Sequence, residues 1–405
     1  VSPGGYAERE VPMVVYLDHA ATTPLRAEAR EAWLAAAALT GNASSIHGAG
    51  QAARRLLEES RERLAVVLGC DPIEVVLTSG GTESVNLALQ GLWRAGGGDG
   101  PVVLPDGEHH ATLDTVAALA RDGAPVRAVR LDERGAIPVA RFRAALEGAA
   151  LATALAANNE VGTVNDVVGL AAAAADAGVA LHVDAIAALG HIPVDVRRWR
   201  GDAVGGTGLV AVSVSGHKVG APVGVGALVV SRAAEPRALL HGGGQQRGLR
   251  AGTQDVAGAA AFAAAAECAE SEREAEDVRL RALARELVAR VRAGVPDAVL
   301  LGDPDRRLPG NVHLLLPGAA GETLLFLLDQ AGISVSTGSA CQAGVPEPSH
   351  VVMALGRSEI EARQVLRVTL GRTSTAADVA AFAAALPAAV ERARAASGPR
   401  SGGGS

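Results

Sequence analysis

Aromatic side chains are scarce: the 405 residues contain three Trp, two Tyr and four Phe. A chain of this length buries a large core, more than one lobe of it. That core must be filled mostly by aliphatic side chains. With Ala abundant and 49 glycines, the helices are expected to pack closely around small residues. Long apolar runs are also missing. The longest carry Asp, Asn, Gly or Pro every few residues, so no membrane span is expected. Charge of one sign is nowhere concentrated. Net charge is −7 with acids and bases interspersed, which argues against nucleic acid as a direct partner and against a charged tail. Cysteine is limited to Cys70, Cys268 and Cys341, far apart in sequence. They make neither a disulfide framework nor a Cys-x-x-Cys metal pair, so a reducing cytoplasm is the expected location. The first residues hold Gly, Glu and Arg where a secretory signal would have an apolar stretch. Residues 1–13 are expected to be a disordered extension, and the Gly/Ser-rich 397–405 a disordered tail.

Between those ends, strands and helices alternate. Apolar runs at 14–17, 74–78, 102–104, 126–131, 151–156 and 179–183 read as strands. Helical patterns fall at 28–39, 51–68, 138–146 and 167–177. The second of these sets Leu56, Leu57 and Leu64 on one face, and Gly69 is placed to end it. This rhythm predicts an α/β sheet with crossover helices. A long helix is expected from 255 to about 293. A smaller lobe then follows, with strands at 311–316 and 365–370 and a helix at 321–331.

Polar residues interrupt this pattern at strand ends, where open α/β sheets bind ligands. Ser79-Gly80-Gly81-Thr82-Glu83-Ser84 turns a strand into a helix. It is either a phosphate-binding turn or an ordinary glycine turn with a Thr cap. His109, in Glu108-His109-His110, lies on a planar ligand or caps the next helix. Asp184, after Leu181-His182-Val183, aims a carboxylate at the sheet edge or caps a helix. Lys218, in Ser215-Gly216-His217-Lys218, stands between two buried-looking strands. It is a solvated turn lysine or an amine placed to form a Schiff base with an aldehyde cofactor. Residues 203–210, rich in glycine, read as a loop ahead of the strand that delivers it. Arg367 sits inside an apolar strand and asks for an anion. Cys341 ends the polar stretch Ser336-Thr337-Gly338-Ser339-Ala340, where a thiol is accessible.

Taken together and in order, these pieces resemble the cysteine desulfurases, pyridoxal-phosphate enzymes of the class V aminotransferase group with fold type I. The stretches that carry the resemblance are YLDHAATTP (16–24), SGGTES (79–84), NNEVG (158–162), SGHK (215–218), RAGT (250–253) and STGSAC (336–341). It implies a large domain over 14–255, with a mostly parallel seven-stranded sheet sandwiched by helices. A smaller α+β C-terminal domain over 256–396 would carry the cysteine. The first residues of the large domain would pack with the small one.

The resemblance also implies roles. Lys218 holds the aldehyde of pyridoxal 5′-phosphate, Asp184 partners the ring nitrogen, and His109 stacks on the ring and assists proton transfer. Gly81, Thr82, Ser215 and His217 cradle the phosphate, and Thr253 reaches the phosphate of the other subunit in a homodimer. Asn159 lies near cofactor and substrate, and Arg367 holds the substrate carboxylate. Cys341 is the nucleophile: its thiolate takes sulfur from L-cysteine, leaving alanine and a persulfide for an acceptor protein. The acceptor's pathway is iron–sulfur assembly, tRNA or DNA thiolation, or a sulfur-containing metabolite. A proton acceptor is needed beside the thiol, either His109 or the substrate amine. No metal site is implied, beyond a transient touch of Cys341 on a nascent iron–sulfur cluster. Two features depart from the pattern. Ala187 stands where the family usually has Gln, and the 203–210 loop is an addition. Competing expectations are a related aminotransferase or lyase that does not use Cys341, and a pseudoenzyme partner in a sulfur-transfer complex.

Overall fold

The computed structural model describes residues 15–203, 205–338 and 347–397. Cys341 and the extension 1–13 lie outside the described residues, as does the tail beyond Ser397. A seven-stranded sheet forms the centre. Its order is Val75–Thr78, Gly226–Val230, Gly208–Ser215, Ala180–Asp184, Leu151–Leu155, Val102–Pro105 and Val126–Val129. Only Gly226–Val230 runs against its neighbours. The expected mostly parallel α/β sheet is therefore present. Every residue of Leu151–Leu155, Gly208–Ser215 and Gly226–Val230 is buried. That is why these strands read as continuous apolar runs: helices cover both faces of a parallel sheet.

The helices meet the aromatic shortage with alanine. In the helix Val256–Gly294, every residue from Gly258 to Ala266 is buried. Phe142, Phe262 and Phe382 are among the largest fully buried side chains. The helix Gly48–Leu68 ends at Gly69, whose φ of +60° is the left-handed turn glycine allows.

A second core lies against a three-stranded antiparallel sheet of Val365–Thr369, Asn311–Leu315 and Val299–Leu301. The helices Gly321–Gln330 and Ala376–Ser397 cover it. Val15–Tyr16 pairs in parallel with Ile333–Ser334, and Leu17 is buried in this second core. The long helix serves both cores. Ala259, Ala261, Phe262, Ala265 and Ala269 belong to the first, and Leu280, Leu287 and Val291 to the second.

One local expectation is corrected. Residues 208–210 are not loop: Gly208 and Leu209 open the strand, opposite Ala180 and Leu181. The register then shifts so that His182 faces Ala211, which leaves Val210 as a bulge. Gly208 enters the strand at φ +66°, so glycine here marks a strand entry as well as a turn.

Candidate active site

Lys218 follows directly from the strand Gly208–Ser215, in the short 3-10 turn Gly216–Lys218. Its Nζ donates to the carbonyls of Ala20, at 2.5 Å, and Ala21, at 2.9 Å. The stretch Asp18-His19-Ala20-Ala21-Thr22 therefore wraps the amine. Burial, followed by the charge of Arg367, pulls the Lys218 pKa down to about 8, against opposing pulls from Asp18 and Asp184. A lysine with this pKa has a usable share of neutral amine near neutrality.

Asp184 ends the adjacent strand, opposite Ser213. Its Oδ1 accepts from the Ile186 N–H at 2.9 Å. Burial raises its carboxyl to about 6, against the pull of that hydrogen bond and of Lys218. His109 is the N-cap of His110–Arg121: its Nδ1 accepts from the Ala111 N–H at 3.1 Å. Burial, then Lys218, lowers its pKa to about 4, so the ring is neutral. With Nδ1 accepting, the hydrogen sits on Nε2. Capping and site membership thus coexist in His109, since it also lines the cavity.

The glycine turn starts the helix Gly81–Ala95, and no side chain caps it. A Cβ at Gly81 would press on Cδ1 of Ile186, so any larger residue here requires that side chain to shift. Ser215 Oγ is buried and has no hydrogen-bond partner among the described residues. His217 Nδ1 lies 3.2 Å from Thr22 Oγ1.

These groups surround one cavity of about 270 Å³. Gly81, Thr82, His109 and Asn159 line it, together with Asp184, Ser215, His217 and Lys218. Ala187 lines it too, so no amide side chain stands at that place. Arg367 is beside the cavity, not among its lining residues. Its Nη1 donates to the Asn159 carbonyl at 3.0 Å, and its Nη2 to Asp18 at 3.0 Å. Thr253 is exposed and is not brought to this cavity.

Several residues of the site carry no sequence signal specific enough to assign them. His19 and His191 line the cavity. His19 bridges Thr23, at 2.8 Å, and Ser374, at 3.3 Å. Glu108 is buried and accepts the Leu155 N–H at 2.8 Å, while its other oxygen has no partner among the described residues. Burial, then the charge of Asp184, raises its carboxyl well above the usual range, against the Leu155 N–H hydrogen bond. Its place directly before His109 was the available signal. Asp18 was legible only as a charge at the end of an apolar strand.

A family model described as Aminotransferase class-V matches residues 15–382. The chain belongs to the class-V aminotransferase family. A relative, "IscS-like cysteine desulfurase" of Mycobacterium tuberculosis, is 45% identical over 390 residues, covering 94% of this chain and 97% of its own. The solved structure titled "NIFS-LIKE PROTEIN" superposes with a TM-score of 0.86 at 30% identity, covering 94% of this chain and all of the other (100%). Another, "SspA in complex with cysteine", has a TM-score of 0.73 at 28% identity, covering 88% and 98%.

Class-V enzymes depend on pyridoxal 5′-phosphate, and the residues present fit it. An uncapped helix N-terminus at Gly81 and the orphaned Ser215 hydroxyl together offer donors to a phosphate. Lys218 supplies an amine for the aldehyde, and Asp184 a carboxylate for a protonated ring nitrogen.

Proposed function

We propose that the protein is a cysteine desulfurase that uses pyridoxal 5′-phosphate to remove sulfur from L-cysteine, giving L-alanine and a persulfide on Cys341. One observation carries this reading. Lys218, Asp184 and His109 meet in one cavity. Arg367 at its border pairs through its backbone with Ser336, which leads directly towards Cys341. A carboxylate-binding arginine and a cysteine-bearing segment thus share one root beside the amine.

When bound, pyridoxal phosphate supplies an aldehyde for the substrate amine and a protonated ring that accepts the electron pair left by the α-proton. The chain's own groups do the rest. Gly81, Thr82, Ser215 and His217 hold the phosphate, and Asp184 keeps a proton on the ring nitrogen. Lys218 Nζ would take the α-proton; its pKa of about 8 suits a group that accepts and returns a proton. His109 presents its hydrogen at Nε2 while Nδ1 caps the helix, so it orients and donates. With His109 Nδ1 engaged at the helix, the substrate amine is favoured over His109 as acceptor of the Cys341 thiol proton. Asn159 borders the substrate. Arg367 receives the substrate carboxylate by a two-pronged bond, displacing or sharing Asp18.

We further infer a homodimer in which Thr253, exposed here, meets the phosphate of the other subunit. We read the chain as a large domain over 14–255 and a smaller C-terminal one over 256–396, a division supported by two separate cores to both of which the long helix contributes. An acceptor protein takes the persulfide in the cytoplasm, with iron–sulfur assembly one destination. Among the described residues, no helix is long and apolar enough to cross a membrane.

The deciding experiment replaces Cys341 by Ala and follows alanine and sulfide formation from L-cysteine. Loss of both, with cofactor absorbance retained, is expected. Unchanged turnover would instead favour a related class-V lyase or aminotransferase that does not use the thiol.

A further inference from the structure

A second cavity, of about 570 Å³, borders the catalytic one. It is a groove between the second half of the long helix Val256–Gly294 and the segment 304–312, which enters the strand Asn311–Leu315. Leu308, Pro309 and Asn311 line both cavities, so the two share a wall. The apolar part of the groove is aliphatic, with Ala284, Val288, Leu300 and Val312 in it and no aromatic ring. Its charge comes mainly from arginine. Arg281, Arg285 and Arg292 fall on one face of the helix. Arg281 is paired with Asp277 at 2.9 Å. Arg285 and Arg292 are exposed and have no ion-pair partner among the described residues. Arg307, next to the shared wall, is buried at 8% exposure. Its Nη2 donates to the carbonyls of Val161, at 2.9 Å, and Leu301, at 3.1 Å. Its Nε and Nη1 have no partner among the described residues. Burial lowers its pKa to about 10, which still leaves it charged at neutral pH. Asp305 is the one acid in the lining. A buried guanidinium with unmade hydrogen bonds is costly until an anion comes near.

We propose that this groove docks an acidic segment of a partner protein, an extended stretch in which Asp and Glu alternate with aliphatic side chains. The spacing of the arginines favours a chain of anions over a single one. Arg281 and Arg292 lie about three helical turns apart, roughly 16 Å. Exposed charges are screened beyond about 8 Å at physiological salt, so one small anion cannot engage them all. About five extended residues span that distance. The aliphatic lining takes the side chains between the acids. It offers no ring for a base to stack on, which favours a polypeptide over a nucleic-acid strand. Apolar walls also focus the field of the arginines into the groove. The proposal goes beyond the reading of the catalytic site and uses none of its reactive groups.

The test uses the full-length holoprotein and a fluorescein-labelled peptide, Glu-Leu-Asp-Val-Glu-Leu-Asp, followed by fluorescence anisotropy. The control peptide carries Gln and Asn in place of the acids. The acidic peptide is expected to bind about tenfold or more tightly than the control, and to weaken several-fold between about 50 and about 300 mM salt. Arg285→Glu combined with Arg292→Glu is expected to weaken binding about tenfold or more, with cofactor absorbance and thermal midpoint unchanged. Lys at both positions keeps the charge and should retain most of the affinity. Hydrogen exchange should show protection within 304–312 when the peptide is bound. No binding up to about 1 mM peptide would overturn the proposal. So would equal binding of the control peptide, or equal binding by the doubly reversed protein. Displacement of the peptide by oligothymidylate at lower concentration would assign the groove to nucleic acid instead. A changed oligomeric state of the doubly reversed protein in sedimentation would make it a contact between copies of this chain. Where the double variant does not fold, Arg292→Glu alone decides.

Discussion

Arg367 Nη2 donates to Asp18 Oδ1 at 3.0 Å, joining two residues 349 positions apart in sequence. The arginine side chain is 6% exposed and the aspartate 20%. A guanidinium buried in an apolar strand needs an anion, and within this chain Asp18 is that anion. A substrate carboxylate arriving at Arg367 therefore meets an arginine already paired. Arg367→Lys should raise KM for L-cysteine about tenfold or more, because an ammonium cannot make the two-pronged contact. Steady-state kinetics checks this, and an unchanged KM would remove Arg367 from substrate binding. Asp18→Ala should cost the cofactor-free protein about 3 kcal/mol in chemical denaturation, since it strands the buried guanidinium.

Lys218 sets a pH dependence on cofactor loading. Its pKa is lowered to about 8, and only the neutral amine attacks an aldehyde. The neutral share is about one tenth at pH 7 and one half at pH 8, so the loading rate should rise about fivefold over that interval. Stopped-flow absorbance measures it. A rate flat from pH 7 to 8 would show that the amine titrates elsewhere. Lys218→Ala should leave no borohydride-stable cofactor adduct by mass spectrometry.

Ser215 offers a test with two opposite signs. Its hydroxyl is buried without a partner among the described residues, so the cofactor-free protein gains nothing from it. Ser215→Ala should leave that form as stable as before, or up to about 1 kcal/mol more stable. Cofactor affinity should nevertheless fall about tenfold, the worth of one hydrogen bond to a charged group. Thermal denaturation and equilibrium dialysis read the two effects. A variant destabilised in the cofactor-free form would mean that the hydroxyl already has a structural partner.

His182 makes the cofactor-free protein acid-sensitive. It lies in the central sheet between Thr153 Oγ1, at 2.9 Å, and Ser213 Oγ, at 2.8 Å. Burial lowers its pKa to about 3. The unfolded chain takes up a proton near pH 6.5 while the folded one stays neutral, so stability is lost as pH falls from about 6.5 toward 3. Between pH 6.5 and 5 this amounts to about 1.6 kcal/mol. Denaturation of His182→Gln at both pH values should show that much less pH dependence. Equal slopes in the two proteins would contradict it.

Much of the fold was legible in the sequence because it rests on local rules. Apolar runs bounded by glycine gave the strand positions, and the alternation with helices gave the parallel sheet. Gly69 ends its helix as its position implied. Glycine density misled at 208–210, since a strand entry with positive φ and a loop use the same residue. At the site, Gly81, His109, Asp184 and Lys218 stood out because each is a polar group or glycine at a strand end, and the structure brings all four to one cavity. Asp18, Glu108 and Glu160 carry no role legible in sequence, although Asp18 and Glu160 lie in stretches that carry the resemblance. Each is an ordinary carboxylate in sequence, and its role depends on what packs against it.

By itself, then, the sequence determined the alternation of elements, the sheet they build and the small-residue packing that replaces aromatics. These follow from periodicity and propensity over a few residues. It also carried the motif residues that supply the reactive groups. Only the tertiary structure decided which charges face one another. It paired Asp18 with Arg367, left the Ser215 hydroxyl without a partner, lowered the Lys218 pKa and set Glu160 against Ser349. Desolvation and Coulomb forces act through space, and residues hundreds of positions apart become neighbours only once the sheet and its two cores have formed.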